Sequence, residues 1–439
     1  MSRLGRISRM LIQLAAISAL AVGCTAVDEP GSRGPDRSST TTTLPAEASA
    51  PISLSCGTGG AGGEVDTALS APHQAAIDDA LRAPEFHGLD ISVSIWIDGH
   101  GEVAAVNPDT RLLPASNQKL FTAIGALATL PGDHRFVTEV RHDDGVLTLV
   151  AGGDPTLRLS GAHSLAALAR QVAERGITGA EVVAVDASHF EFNRMAVGWQ
   201  DWHIPDYVGP LSAFTVNDNR HRTDDDYLFS PAIGNLEAFA SALRSVGVDI
   251  GGARIEPATE ARGEVVATLR SAPVSTLVAD MLTRSDNETA EALLREVGDG
   301  STATGITTVD SVLDPYCQGR SGASGDGSGL SRANLRSARE WRSLLQAVAA
   351  APWGNELRAG LPVAGRTGTL AGRLGGQTTR GNVTAKTGSI IGGQALSGYA
   401  TTAEGREMVF SIIVNGDAVS ARAARPAIDA LVTAAVGET

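Results

Sequence analysis

Ser116-Asn117-Gln118-Lys119 sets a hydroxyl and an amine three residues apart, which places both on one face of a helix, one turn from each other. A serine hydroxyl is a poor nucleophile until a neighbour takes its proton. Lysine does that when burial lowers its pKa, whereas arginine stays protonated in proteins. The residue type is informative in this chain, because of its 35 basic residues only Lys119 and Lys386 are lysines and the other 33 are arginines. A helix that starts near Ser116 would also favour negative charge developing at its N-terminus. The chemistry expected is nucleophilic attack by Ser116 with Lys119 as the general base.

The second lysine stands in Lys386-Thr387-Gly388-Ser389, just before two apolar runs that read as a strand pair. The glycine lets another group approach the backbone closely. Lysine, threonine and exposed backbone N–H groups together make a cradle for a carboxylate. A near copy, Arg366-Thr367-Gly368-Thr369, is the rival, and it is set aside because Leu370 to Gly376 shows no strand pattern after it. The third element is Ser285-Asp286-Asn287, at the junction of two helical stretches, Val274 to Leu282 and Glu288 to Val297. Alone that tripeptide is a common helix cap.

Ser-x-x-Lys, Ser-Asp-Asn and Lys-Thr-Gly in this order resemble the signature of active-site-serine penicillin-recognising enzymes. Three longer strings narrow the resemblance to the D-alanyl-D-alanine carboxypeptidase/endopeptidase family, peptidase family S13. They are Gly152-Gly153-Asp154-Pro155-Thr156-Leu157, Asp326-Gly327-Ser328-Gly329-Leu330-Ser331-Arg332 and Leu361-Pro362-Val363-Ala364-Gly365. The resemblance runs from about Pro72 to the C-terminus. It implies that Ser116 attacks the carbonyl of a penultimate D-alanine with Lys119 as base, and that Ser285 relays a proton. Asn287 would then hold the substrate amide, while Lys386 and Thr387 bind the terminal carboxylate, with Gly388 and Ser389 beside them among the substrate-binding residues. The backbone N–H groups of Ser116 and Ser389 would form the oxyanion hole. Arg332 matches a family arginine that helps to bind the stem-peptide side chain. An acidic partner for the substrate's amino group, expected after Gly198-Trp199, is either Asp201 or Asp206. The implied partners are peptidoglycan stem peptides and β-lactam antibiotics, with no cofactor. The interval from Ser116 to Ser285 is shorter than in three-domain members, so the second inserted domain of the family is missing or much reduced.

The elements that must position these groups read as a mixed pattern. Ile91, Val93, Ile95 and Ile97 alternate with more polar residues before Asp98-Gly99 and Val103 to Val106, which predicts a hairpin. Leu120, Phe121, Ile124, Leu127 and Ala128 recur at helical spacing with little polar surface between them, so the helix behind Ser116 is buried. Ala395 to Thr401 and Met408 to Val414 read as two strands, followed by an Ala-rich helical stretch from Val419 to Val436. Strands packed against N- and C-terminal helices make an α+β layout, and the resemblance implies the penicillin-binding protein/serine β-lactamase-like transpeptidase fold. Residues 135–266 have their own rhythm of short strands and helices and read as an inserted domain that shapes access without supplying a catalytic group. The penicillin-binding domain is then 70–134 with 267–439.

Arg3, Arg6 and Arg9 precede an apolar run that ends at Gly23-Cys24, the pattern of a signal peptide over 1–24. The small residue before Cys24 resembles a lipobox, with Cys24 lipidated. The chain is then extracytoplasmic and touches membrane only through that anchor. Residues 25–69, rich in Thr, Ser, Pro and Gly, read as a disordered tether. Cys56 and Cys317 remain as a candidate disulfide in an oxidising compartment.

The chain's 439 residues are enough for a sizeable core, and a net charge of −14 would repel a phosphate backbone, which excludes nucleic-acid binding. Nine histidines show no paired metal-ligand motif, so no metal is expected. A Ser-His-Asp hydrolase would need a G-x-S-x-G elbow, which this chain lacks. Two other readings stay open on the residues, a serine β-lactamase and a catalytically weak penicillin-binding lipoprotein.

Overall fold

The computed structural model describes residues 68–219, 230–258, 260–317 and 322–437. The expected lipidation at Cys24, most of the tether and the pairing of Cys56 with Cys317 lie outside the described residues. In chain order the strands are β1 (Asp90–Ile97), β2 (Gly101–Val106), β3 (Val137–Asp143), β4 (Val146–Ala151), β5 (Val182–Asp186), β6 (Arg254–Pro257), β7 (Glu264–Arg270), β8 (Thr384–Ile390), β9 (Gly393–Thr401) and β10 (Glu407–Asn415). The helices are α1 (Ala71–Leu81), α2 (Lys119–Thr129), α3 (Leu165–Glu174), α4 (His203–Asp206), α5 (Pro231–Ser245), α6 (Val274–Arg284), α7 (Asn287–Val297), α8 (Thr302–Cys317), α9 (Ala338–Ala349), α10 (Gly354–Ala359), α11 (Ala418–Ala423) and α12 (Arg425–Val436).

The first sheet runs β2-β1-β10-β9-β8, and every neighbouring pair in it is antiparallel. Alternation along β10 explains why helices cover both faces. Met408, Phe410, Ile412 and Val414 join one core with Ile77 of α1 and Ile428 and Leu431 of α12. Val409 and Ile413 point the other way, into a core shared with Phe121 of α2 and Trp341 and Leu345 of α9, as the two-residue period of a strand requires. The hairpin β1–β2 turns at Asp98-Gly99, where Gly99 takes φ +73°.

Two local readings are corrected. Lys386 to Ser389 do not stand just before the strand pair but lie within β8, the edge strand of this sheet. Apart from Ala385 and Ile390 its residues are polar or glycine, so they carry no apolar alternation by which a strand is recognised. The Ala-rich C-terminal stretch is two helices, not one, because Pro426 stands in the first turn of α12 and begins a new helix after Ala424.

The second sheet runs β6-β5-β4-β3-β7. The pairs β4–β5 and β5–β6 are parallel, which requires crossovers, and α3 and α5 lie in those two connections. Where residues 135–266 begin and end, the chain is closely bonded. Val274 N donates to His134 O at 2.8 Å and Ser271 N to Phe136 O at 3.0 Å.

Candidate active site

Ser116 lies in a 3-10 turn, Ala115–Gln118, that leads directly into α2. The α-helix therefore starts at Lys119, three residues later than Ser116. Ala115 takes φ +49°, a conformation that costs a residue with a Cβ about 1–3 kcal/mol and persists where surroundings enforce it. Asn117 helps to enforce it, since its Nδ2 donates to Ser397 Oγ at 2.6 Å inside the first sheet, and Ser397 is bonded in turn to Ser411 Oγ at 2.8 Å.

Lys119 is fully buried and its Nζ makes three contacts: Ser116 Oγ at 3.1 Å, Asn287 Oδ1 at 2.6 Å and Ser328 O at 2.6 Å. Two of these partners are carbonyl oxygens and one is a hydroxyl. A neutral amine has two N–H bonds for the carbonyls and one lone pair, which is left facing the serine hydroxyl. Burial lowers the Lys119 pKa from its ordinary 10.5 to about 8, against the opposing pull of Asp326, Asp286, Glu291 and Glu288. The geometry and the lowered pKa fit proton abstraction from Ser116.

The two other triplets meet at the same place. Ser285 ends α6 in the left-handed conformation, φ 60° and ψ 42°, so the chain reverses, and Asp286 caps α7 by accepting from Thr289 N at 2.7 Å. The reversal turns the Ser285 hydroxyl toward β8, where Lys386 Nζ donates to it at 2.9 Å and to Thr387 O at 2.8 Å. Lys386 is fully buried. Burial, then the nearby Lys119, holds its pKa well below the ordinary value. Gly388 leaves room for the nucleophile turn, since a Cβ there would stand 2.6 Å from Pro114 O. Ser389 is exposed at the end of β8, with its Oγ held by Gln394 Nε2 at 2.8 Å. Arg332, also exposed, donates to Ile391 O at 2.8 Å in the β8–β9 turn.

The chain matches the model of the D-Ala-D-Ala carboxypeptidase 3 (S13) family over residues 73–226 and 227–436. The protein belongs to this family. It is similar to the D-alanyl-D-alanine carboxypeptidase of Actinomadura sp., with 31% identity over 435 residues that cover 77% of this chain and 80% of that protein. Carboxypeptidase DacB of Mycolicibacterium smegmatis is also 31% identical, over 403 residues covering 84% of this chain and 86% of that one. Among solved structures, penicillin binding protein 4 (dacB) from Haemophilus influenzae superposes with a TM-score of 0.67 at 22% identity, covering 78% of this chain and 93% of that one. The S13 chain thus has the penicillin-binding-protein fold, an antiparallel sheet flanked by helices, and is a hydrolase of the peptidase class.

Three features of this S13 site go beyond the triplets. Asn287 is engaged at both ends, its Oδ1 by Lys119 and its Nδ2 by donating to Tyr207 O at 2.9 Å. A substrate amide held by Nδ2 would exchange with that carbonyl. Tyr207 belongs to residues 135–266, as do Gly209, whose N–H donates to Glu288 Oε1 at 3.0 Å, and Trp199. This part of the chain therefore abuts the Ser-Asp-Asn triplet, a contact unforeseen from its strand-and-helix rhythm. Asp206 directly precedes Tyr207, Asp201 lies five residues before Asp206 in the same segment, and both side chains are exposed.

Asp326 is fully buried and accepts five hydrogen bonds. Oδ1 takes Gly329 N at 2.9 Å and Asn334 Nδ2 at 2.7 Å. Oδ2 takes Ser331 N at 2.7 Å, Trp199 Nε1 at 2.8 Å and Ser328 Oγ at 3.1 Å. Glu291 accepts from Gly327 N at 3.1 Å and Ser328 N at 2.8 Å. Together they fix the loop that presents Ser328 O to Lys119. The sequence singles out neither acid: most Asp326 donors are local, but Trp199 comes from 127 residues away, and the donors to Glu291 lie 36 and 37 residues from it. Asp326→Asn replaces an acceptor oxygen with a donor that faces other donors. It should destabilise the fold by about 2 kcal/mol or more, which a thermal denaturation series would show as a lowered Tm.

Proposed function

We propose that this S13 enzyme is a serine-type D-alanyl-D-alanine carboxypeptidase/endopeptidase that trims peptidoglycan stem peptides through an acyl-enzyme on Ser116 and is inhibited by penicillin. The observation that carries the reading is that both lysines of this chain are fully buried, each within hydrogen-bond distance of a triplet serine. Lys119 takes the Ser116 proton as Oγ attacks the penultimate D-alanine carbonyl. The Ser285 hydroxyl, held by Lys386, passes a proton to the leaving amine and is refilled by the one Lys119 took from Ser116, so Lys119 is neutral again and free D-alanine departs. Water then attacks the ester, with Lys119 again as base. Lys386 and Thr387 meet the terminal carboxylate, the N–H groups of Ser116 and Ser389 stabilise the oxyanion, and Arg332 meets the stem-peptide side chain at the open end of β8. In this geometry Asn287 also acts on Lys119, by fixing one of its N–H bonds.

Incubation with an N-acylated peptide ending in D-Ala-D-Ala should release one D-alanine per peptide, and benzylpenicillin should add its mass once per chain. Release without an adduct would remove the penicillin part of the reading, and the absence of both release and adduct would overturn the function. Fast, continuing penicillin breakdown would instead make the protein a β-lactamase.

The same reading has Cys24 lipidated, with the enzyme tethered to the outer face of the cytoplasmic membrane. Its support is the Gly23-Cys24 junction after a short apolar run. Cys24→Ser should move most of the protein from the membrane fraction to the soluble one. Equal membrane retention of the variant and wild type would overturn the anchor.

A further inference from the structure

The near copy of the lysine triplet, Arg366-Thr367-Gly368-Thr369, has no part in the mechanism above, yet it lies against the triplet it resembles. Residues Gly368–Leu370 form a short 3-10 turn, and Thr369 Oγ1 is 2.7 Å from Thr387 Oγ1. The turn is fixed on two sides. Gly368, at φ +53°, sits where a Cβ would stand 2.2 Å from Thr283 O, two residues ahead of Ser285. Leu370 is fully buried in the core that holds Ala364 and Leu374. The Thr369 hydroxyl is therefore carried by backbone seated on both α6 and the core, while its own side chain is exposed.

We propose that Thr369 is a positioning residue of the carboxylate cradle, holding the Thr387 hydroxyl for the terminal carboxylate of the substrate. The inference rests on the reading of Lys386 and Thr387 as the groups that bind that carboxylate. A hydroxyl has one proton to donate and two lone pairs to accept with. Without substrate, the Thr387 hydroxyl donates a hydrogen bond to Thr369. When a carboxylate enters, Thr387 turns its O–H to donate to it, and the Thr369 hydroxyl donates instead to the Thr387 oxygen. That oxygen stays where it was throughout the exchange, and the hydrogen bond it now accepts makes its hydroxyl a better donor. The lysine-triplet threonine is thus set by a second threonine 18 residues earlier in the chain.

The test compares wild type with Thr369→Val, which keeps the shape and removes the hydroxyl, and Thr369→Ser, which restores it. Both are measured on hydrolysis of an N-acylated D-Ala-D-Ala peptide, with thermal melting to verify the fold. Thr369→Val should lower kcat/KM roughly fivefold to tenfold, mainly through KM, and Thr369→Ser should recover most of that loss. In a Thr387→Val background, Thr369→Val should have no further effect, since the hydroxyl it serves is gone. An active wild type with an indifferent Thr369→Val, or a loss that persists in full beside Thr387→Val, overturns the inference and leaves the functional reading standing. A folded wild type that neither hydrolyses the peptide nor takes up benzylpenicillin overturns both.

Discussion

A Ser116→Ala protein incubated with benzylpenicillin should keep the mass of the unlabelled chain, and its peptide hydrolysis should fall by about 10⁴-fold or more. The result is not trivial, because the site holds two serine–lysine pairs. Ser116 lies 3.1 Å from Lys119 and Ser285 lies 2.9 Å from Lys386, and both amines are pushed down in pKa by burial. Two features favour Ser116 as the nucleophile. Lys119 has carbonyl partners for two N–H bonds, which leaves its lone pair on the hydroxyl, and Ser116 sits in the turn that precedes a helix, where developing negative charge is favoured. Ser285→Ala should therefore still form the adduct, more slowly. An adduct that survives Ser116→Ala and disappears in Ser285→Ala would transfer the nucleophile role to Ser285.

Lys119→Arg should reduce acylation by about 10³-fold while the chain still folds, because a guanidinium keeps the charge but has no proton acceptor to offer. The wild-type pH profile tests the same role with the side chain in place. The base works only when neutral, and its pKa is about 8, so the acylation rate should climb about tenfold per pH unit below 8 and level off above it. Burial of Lys119 also leaves a trace in stability. Its pKa is lower folded than unfolded, so between about 8 and 10.5 the unfolded chain holds more protons. The cost of burying it is complete below about 8 and is relieved as pH rises through that window. Acylation by Lys119→Arg at the wild-type rate, or a profile flat from pH 6 to 9, would end the assignment of Lys119 as base.

The parts of this molecule that were legible in its residues share one property, that the signal lay within a short window. The β1–β2 hairpin announced itself by alternation around Asp98-Gly99, and the buried helix by apolar residues from Leu120 to Ala128. Ser116 and Lys119 stood out because lysine is so rare in the chain. What stayed hidden depended on pairing and tertiary packing that no local pattern announces. Strand β8 has no apolar alternation and becomes a strand only by pairing with β9. Asp326 lay in a string noted for its resemblance, but nothing in that string says that Trp199 would bond to it from 127 residues away in the chain. Thr369 was set aside for lacking a strand, and its position beside Thr387 comes from tertiary packing around Gly368.

The scarcity and burial of lysine make this protein an unusual substrate for amine chemistry. Acetic anhydride or formaldehyde with borohydride meets no exposed ε-amine, since the chain's two lysines are both fully buried. Such reagents can reach Lys119 and Lys386 only along the path by which a substrate reaches Ser116, or when the native structure opens. The rate at which those two residues are modified therefore reads how freely the site admits small molecules. Ligands that occupy the site would slow the modification, so the same measurement would rank them without any turnover at all.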